Sequence, residues 1–221
     1  EGWHDAAFFN MCRPLELVFS NGMDKGVRIG PATGNVEEMT TFEQFYDAYK
    51  KQMDYAIQLL VNADNAIDMA HAERCPLPFL SSMVDDCMKV GKTVQEGGAV
   101  YNFTGPQGFG VANMADSLYS VKTLVYDEKK ITMGELKEAL ATNFGKGLGA
   151  EDVAAMTAKI ANELKEAGKT IGEKEVAAIL NTVVAASEAP EVKANGERIL
   201  KLIEEVPKFG NDIPEVDAFA R

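Results

Sequence analysis

The longest ordered run of apolar positions begins at Phe42. Phe42, Phe45, Tyr46, Tyr49, Met53, Ala56, Leu60, Ala63, Ile67 and Ala70 recur in steps of one, three or four. That spacing draws one continuous stripe along a helix. Thr41 with Gln44 three residues on supplies a capping box at its start, and Cys75-Pro76-Leu77-Pro78 ends it. A helix of this length spans about 45 Å at about 1.5 Å per residue. It is too long for a small bundle and suits the outer wall of a large domain. Pro78 can open a further helix over Phe79–Val90, closed by Gly91.

The other segments are shorter. Asp5 ahead of Ala6-Ala7-Phe8-Phe9 reads as a helix N-cap, with the helix running to a left-handed stop at Asn21-Gly22 and kinked or restarted at Pro14. Residues 22–40, rich in glycine, read as loop. Ala99–Thr104 favours a short strand, followed by Gly105, Gly108 and Gly110, where the bland reading is a turn. Val111–Val125 reads as a buried helix, and Thr132 with Glu135 forms a second capping box. The stretch 145–196 holds no aromatic residue and is rich in Ala, Lys and Glu. Its stripes, Val153, Met156, Ile160 and Leu164, then Val176, Ile179, Leu180, Val183 and Val184, predict a peripheral helical hairpin turning between Gly168 and Gly172. Ile199, Leu200, Leu202 and Ile203 predict a short helix, 207–214 a loop, and 216–221 the start of another helix. No internal repeat or low-complexity tract is present.

Composition narrows the class. Of 221 residues, 46% are hydrophobic and 25% charged, an ordinary globular balance. Acidic residues number 34 against 22 basic, a formal charge of −12 that disfavours nucleic acid as a partner. No apolar run reaches the roughly 20 residues of a membrane helix. Cys12, Cys75 and Cys87 form no C-x-x-C pair, and reduced cytoplasmic thiols are the plain reading. The first residue is Glu1, so the chain is expected to be an internal piece of a longer reading frame.

Several motifs carry less chemistry than their letters suggest. His71-Ala72-Glu73 lacks the downstream P-C-x-x-C of a zinc deaminase. Asp64, Asp68 and His71 share a helical face, but a di-metal carboxylate site needs a second acid-x-x-His, and the only other histidine is His4. No metal site is expected. Gly105 to Gly110 is neither a dinucleotide fingerprint nor a phosphate loop. Gly2-Trp3-His4-Asp5 differs from these, because polar groups stand beside large apolar ones, as in a wall that grips a small polar substrate. On spacing alone, Asp5 as a helix cap and His4 as a surface residue is the favoured reading.

Four runs, in order along the chain, resemble the glycyl radical enzyme (pyruvate formate-lyase-like) family. They are Gly2-Trp3-His4-Asp5-Ala6-Ala7-Phe8-Phe9-Asn10; His71-Ala72-Glu73-Arg74 with Pro76-Leu77-Pro78-Phe79; Tyr101-Asn102-Phe103-Thr104-Gly105-Pro106-Gln107-Gly108 with Ala112-Asn113; and Lys208-Phe209-Gly210-Asn211-Asp212. The resemblance implies an α/β fold, with this chain a mostly helical internal fragment of a ten-stranded α/β barrel. All of 1–221 would be partial barrel domain, and 145–196 a helical hairpin insertion within it. The family's thiyl Cys-x-Glu pair and its Arg-Val-x-Gly-Tyr glycyl loop are absent from this sequence, and no cysteine here matches the thiyl position. The catalytic residues are therefore expected outside the chain, and the chain alone is expected to be inactive.

Within the family, Gly2-Trp3-His4-Asp5 with Phe8-Phe9-Asn10 resembles the diol dehydratase branch, which acts on glycerol or propane-1,2-diol. The choline trimethylamine-lyase branch carries Thr where His4 stands and Tyr where Phe8 stands. A carboxylate at Asp5 can accept a hydrogen bond from a substrate hydroxyl, whereas a quaternary ammonium favours an aromatic or oxygen-rich cage. Asp5 is thus expected as the substrate-hydroxyl ligand, with His4 near the pocket and Phe8 as apolar wall. The resemblance further implies a glycyl radical installed by a radical S-adenosylmethionine activating enzyme, a small-molecule diol substrate, a homodimer, and a cytoplasmic location that could include a bacterial microcompartment. Choline C–N cleavage and hydroxyproline dehydration are the alternatives within the family. A non-catalytic helical scaffold is the alternative outside it.

Overall fold

The computed structural model describes residues 2–147 and 189–220, with positions 176, 180, 184 and 185 between them. They fall into two compact units, one of residues 1–118 with 212–221 and one of 119–211.

The first unit opens with a strand where the sequence predicts a helix. Gly2–Asn10 is β1, and it pairs in parallel with β4, Asn102–Phe109. Pairing with a strand about a hundred residues away overrides the local preference of Ala6-Ala7 and the cap potential of Asp5. The helix that follows, α1, covers only Arg13–Phe19, and Pro14 lies in its first turn, where no N–H is needed. Its stop is as expected. Asn21 and Gly22 have φ of 53° and 77°, and a Cβ at Gly22 would meet the carbonyl oxygens of Pro31 and Gly30 at 2.4 and 2.5 Å. Only glycine fits there. Within the expected loop 22–40, Met23–Asp24 and Val27–Arg28 form a small antiparallel hairpin, β2 and β3. Asn21 Oδ1 accepts from the N–H groups of Thr33 and Gly34 at 2.7 and 2.9 Å and fixes the rest of that loop.

Helix α2 spans Phe42–Arg74 and carries the full Thr41/Gln44 capping box. Its first turns bury the stripe as predicted. Phe45 is fully buried, stacks edge-on to Phe19 at 5.6 Å, and sits with Val18 and Leu15 of α1 in the core of this unit. Phe42 and Tyr46 hold Phe219 edge-on at 5.7 and 6.0 Å. Phe219 lies in the 3-10 turn Ala218–Ala220, which continues the short helix Pro214–Asp217; the helix expected from 216 starts two residues earlier, at Pro214. Gln52, also buried, donates to the Pro31 carbonyl at 2.8 Å and ties the loop to α2. The second half of α2 differs from expectation. Ala63, Ile67 and Ala70 of the stripe are exposed, as are Tyr55, Ile57, Leu59, Val61 and Met69 off it. The stripe extends past the packing available among the described residues.

Beyond α2 the helix expected over 79–90 is broken into α3, Pro78–Ser82, and α4, Cys87–Val90, by Asp86 in the left-handed region at φ 73°. The strand expected over 99–104 runs later, at 102–109, straight through Gly105-Pro106-Gln107-Gly108. Pro106 pairs with Ala7 on the first rung after the register slip, an irregular point of the ladder where proline is tolerated. Helix α5, Val111–Val121, follows, with Met114, Ala115 and Leu118 buried. It gives way to a π-helical stretch at Lys122–Asp127 rather than continuing to 125 as one α-helix.

In the second unit, α6 is Met133–Ala141, with the predicted Thr132/Glu135 capping box in place. It packs against Pro190–Glu205, named α7, which starts within the segment read from sequence as hairpin and extends past the short helix expected there. The contact is close. A Cβ on Gly196 would meet the Phe144 carbonyl carbon at 2.3 Å, and Arg198 bridges to Glu135 at 2.8 Å. Replacing Gly196 by alanine should therefore destabilise the protein by about 1–3 kcal/mol through overpacking. A melting temperature equal to wild type would refute that. The expected hairpin lies largely outside the described residues; of its second stripe, Val176 and Leu180 are buried.

Candidate substrate-binding face

The register of β1 on β4 decides which sequence-predicted positions share a face. Trp3 pairs with Phe103, His4 with Thr104 and Asp5 with Gly105; then Ala7 pairs with Pro106 and Phe8 with Gln107. Rung partners in a parallel pair belong to the same face, and successive residues to opposite faces. The extra residue, Ala6, is a bulge. Asp5 and Phe8 are three apart, and in a regular strand they would face opposite ways. The bulge restores them to one face, the face of Gly105 and Gln107. His4 falls on the other, the face of Thr104. The structure thus brings the positions of Asp5 and Phe8 together and separates that of His4 from them.

Helix α2 identifies the second face. Thr104 Oγ1 donates to Asp68 Oδ2 at 2.6 Å, so α2 covers the side that carries Thr104. On the opposite side from Thr104, Phe8 is 71% and Phe103 58% exposed among the described residues. On β4 this face carries Gly105, the rung partner of Asp5, between Phe103 and Gln107. A strand face that carries a carboxylate position together with Phe8, Phe103 and Gln107 has the composition that suits a small molecule bearing hydroxyl groups. Sequence reading missed Gly105, Gln107 and Phe103 as members of this face. Only the strand pairing reveals them, because 102–109 lacks the apolar/polar alternation that announces a strand.

The cysteines are placed away from this chemistry. Cys12 lies beyond the end of β1, half-buried, with its Sγ donating to the Gly110 carbonyl at 3.5 Å. Burial, and then the nearby Glu16 carboxylate, push its thiol above the usual range, which favours the unreactive protonated form. Cys87 is buried and Cys75 exposed. Among the described residues no three His, Cys, Asp or Glu side chains gather as metal ligands, and Asp68 is engaged with Thr104 instead. One turn before it, Asp64 is 5% exposed, and its Oδ1 has no hydrogen-bond partner among the described residues. No described helix is long and apolar enough to cross a membrane.

The family model described as pyruvate formate lyase-like matches residues 1–221. The chain belongs to this family. Its fold is correspondingly close to solved family structures. A Roseburia inulinivorans protein, whose structure concerns 1,2-propanediol dehydration, superposes with a TM-score of 0.90 at 56% identity; the match covers 100% of this chain and 26% of that one. The B12-independent glycerol dehydratase of Clostridium butyricum, solved with glycerol bound, gives a TM-score of 0.74 at 45% identity, covering 100% of this chain and 22% of its own. Among curated proteins, the (2S)-3-sulfopropanediol dehydratase of Klebsiella oxytoca is 38% identical over 145 residues, which is 65% of this chain and 18% of that protein. The chain thus spans about a fifth to a quarter of the relatives it matches. The α/β, mostly helical barrel-segment architecture expected from the resemblance holds.

Proposed function

We propose that this chain forms part of the substrate wall of a glycyl radical dehydratase, which converts a vicinal diol, glycerol or propane-1,2-diol, to an aldehyde and water without B12. The observation that carries this reading is the bulged rung pattern. It assigns positions 5 and 8 to the strand face that also carries Gly105, which supports the reading. Likeness to relatives named for propanediol, glycerol and sulfopropanediol dehydration supports the same substrate class.

In this reading the radical chemistry, housed elsewhere in the longer protein, removes a hydrogen from the substrate. The residues of this chain bind and orient. Asp5 accepts a hydrogen bond from one diol hydroxyl and holds it in a fixed direction. Phe8 and Phe103 form the apolar flank and exclude water from the carbon chain. Gln107 offers both a donor and an acceptor for the second hydroxyl. Strand alternation favours Asp5 and Phe8 over His4 as groups that touch substrate; His4 serves the site from behind. A radical S-adenosylmethionine activating enzyme, a homodimeric assembly and a cytoplasmic location belong to the same proposal.

The test is an anaerobic assay of the activated full-length protein against propane-1,2-diol, glycerol, choline and trans-4-hydroxy-L-proline. Aldehyde from a diol, with no trimethylamine from choline, is the expected result. Trimethylamine release without aldehyde would replace the reading with C–N cleavage. A second experiment addresses the Asp5 rung. Gly105→Val puts a branched side chain on that rung, and diol turnover should fall by more than about tenfold, the equivalent of roughly 1.4 kcal/mol. Turnover at the wild-type level would remove Gly105 from the site.

A further inference from the structure

Asp68 has no role in the substrate face, yet α2 reaches the sheet through it. Its Oδ2 accepts from Thr104 Oγ1 at 2.6 Å, and Asp68 is half-buried while its partner is exposed. Thr104 occupies the rung of His4 and directly precedes Gly105, the rung partner of Asp5. The rung after Asp5 is where the register slips at Ala6. Asp5 therefore sits between a bulge, which weakens the definition of its position, and a rung that is tied to a long helix. A bulged strand bends and twists locally, so whatever anchors the neighbouring rung sets how far residue 5 projects from the sheet.

We propose that Asp68, acting through Thr104, is a positioning residue for the diol. The helix-to-strand hydrogen bond holds the Thr104–Gly105 stretch of β4 against α2, and with it the rung on which Asp5 presents its carboxylate. His4, which shares the Thr104 rung, belongs to this α2 side of the sheet. The charge-assisted character of a hydroxyl-to-carboxylate bond suits such a role, because it is shorter and stronger than a neutral one. The inference rests on the reading of Asp5 as the hydroxyl ligand.

The test compares Asp68→Ala, Thr104→Val, Thr104→Ser and the double variant Asp68→Ala/Thr104→Val in the full-length protein. Glu73→Ala, an exposed acid on the same helix, controls for loss of charge. Three quantities are read: KM and kcat for propane-1,2-diol, the affinity of the unactivated enzyme for the same diol by calorimetry, and the glycyl radical content by electron paramagnetic resonance. Asp68→Ala and Thr104→Val should each raise KM and weaken diol binding about five- to tenfold, the scale of one hydrogen bond, with radical content unchanged and kcat within about twofold. Thr104→Ser, which keeps the hydroxyl, should restore wild-type KM, and the double variant should be no worse than either single one. A merely structural role would instead lower radical content and kcat together and leave KM unmoved, and that outcome overturns the proposal. So does an additive double variant, or a Glu73→Ala that raises KM as much as Asp68→Ala. If wild type neither binds nor converts any diol, the functional reading itself has failed and the proposal falls with it. If wild type does both and the variants keep its KM, only the positioning role fails.

Discussion

Asp5→Asn in the activated full-length protein should lower kcat/KM for propane-1,2-diol by roughly a hundredfold. A hydrogen bond to a charged group contributes about 1.5–3 kcal/mol, and at about 1.4 kcal/mol per tenfold that range reaches two orders of magnitude. Asparagine keeps the shape and one acceptor oxygen, so the loss measures the charge rather than the volume. Asp5→Ala removes both and should lose more. The melting temperature should move little, because the β1–β4 ladder is made by backbone groups that neither change touches. Anaerobic aldehyde kinetics, normalised to radical content, provide the measurement. Wild-type kcat/KM in Asp5→Asn would remove Asp5 from the site.

The chain expressed alone should yield no aldehyde from any diol, bind hydrophobic dyes strongly and self-associate. Phe79, Met88, Phe8 and Val100 are each at least 69% exposed, and the second half of α2 adds Tyr55, Ile57, Leu59, Val61, Ile67 and Met69. So many exposed large apolar side chains mark surface that a larger body buries. The two long strands form a sheet of only two among the described residues, with unpaired edges that favour aggregation. A free-standing scaffold module would behave oppositely, with a monomeric species, a single cooperative unfolding transition and little dye binding. Size-exclusion chromatography with dye fluorescence separates the two outcomes. A well-behaved monomer would favour the scaffold.

Local signals in the sequence were readable and non-local ones were not. Thr41/Gln44 and Thr132/Glu135 announce two helix starts, because a capping box is made within four residues. Asn21-Gly22 announces a stop for the same reason. β1 leaves no such trace, and β4 only its first residues, 102–104, within the strand expected over 99–104. Ala6-Ala7 and Asp5 suit a helix start, Gly105-Pro106 suits a turn, and each becomes strand only by pairing with the other. The bulge at Ala6 is invisible for the same reason, and with it the co-facial placement of Asp5 and Phe8. Those two were found as candidates through family resemblance, and their partners Gly105, Gln107 and Phe103 only through the ladder. The stripe of α2 was legible as apolar but not as half-covered, since what covers its second half is not local to it.

The parallel ladder between β1 and β4 also has a consequence for synthesis. β1 ends at Asn10 and its partner begins at Asn102, so the 91 residues 11–101 must leave the ribosome after the first strand before its partner exists. At about 5–20 residues per second, that delay is on the order of 5–20 seconds. Throughout it, a segment carrying Trp3, Phe8 and Phe9 lacks its β4 partner. α2, whose contacts are local, can form and bury Phe45 against α1 in far less than a second, giving the nascent chain a folded landmark while its substrate wall waits. The gap between the two events is where a nascent-chain chaperone would find its binding site, and slowing elongation within 11–101 should lengthen its residence there.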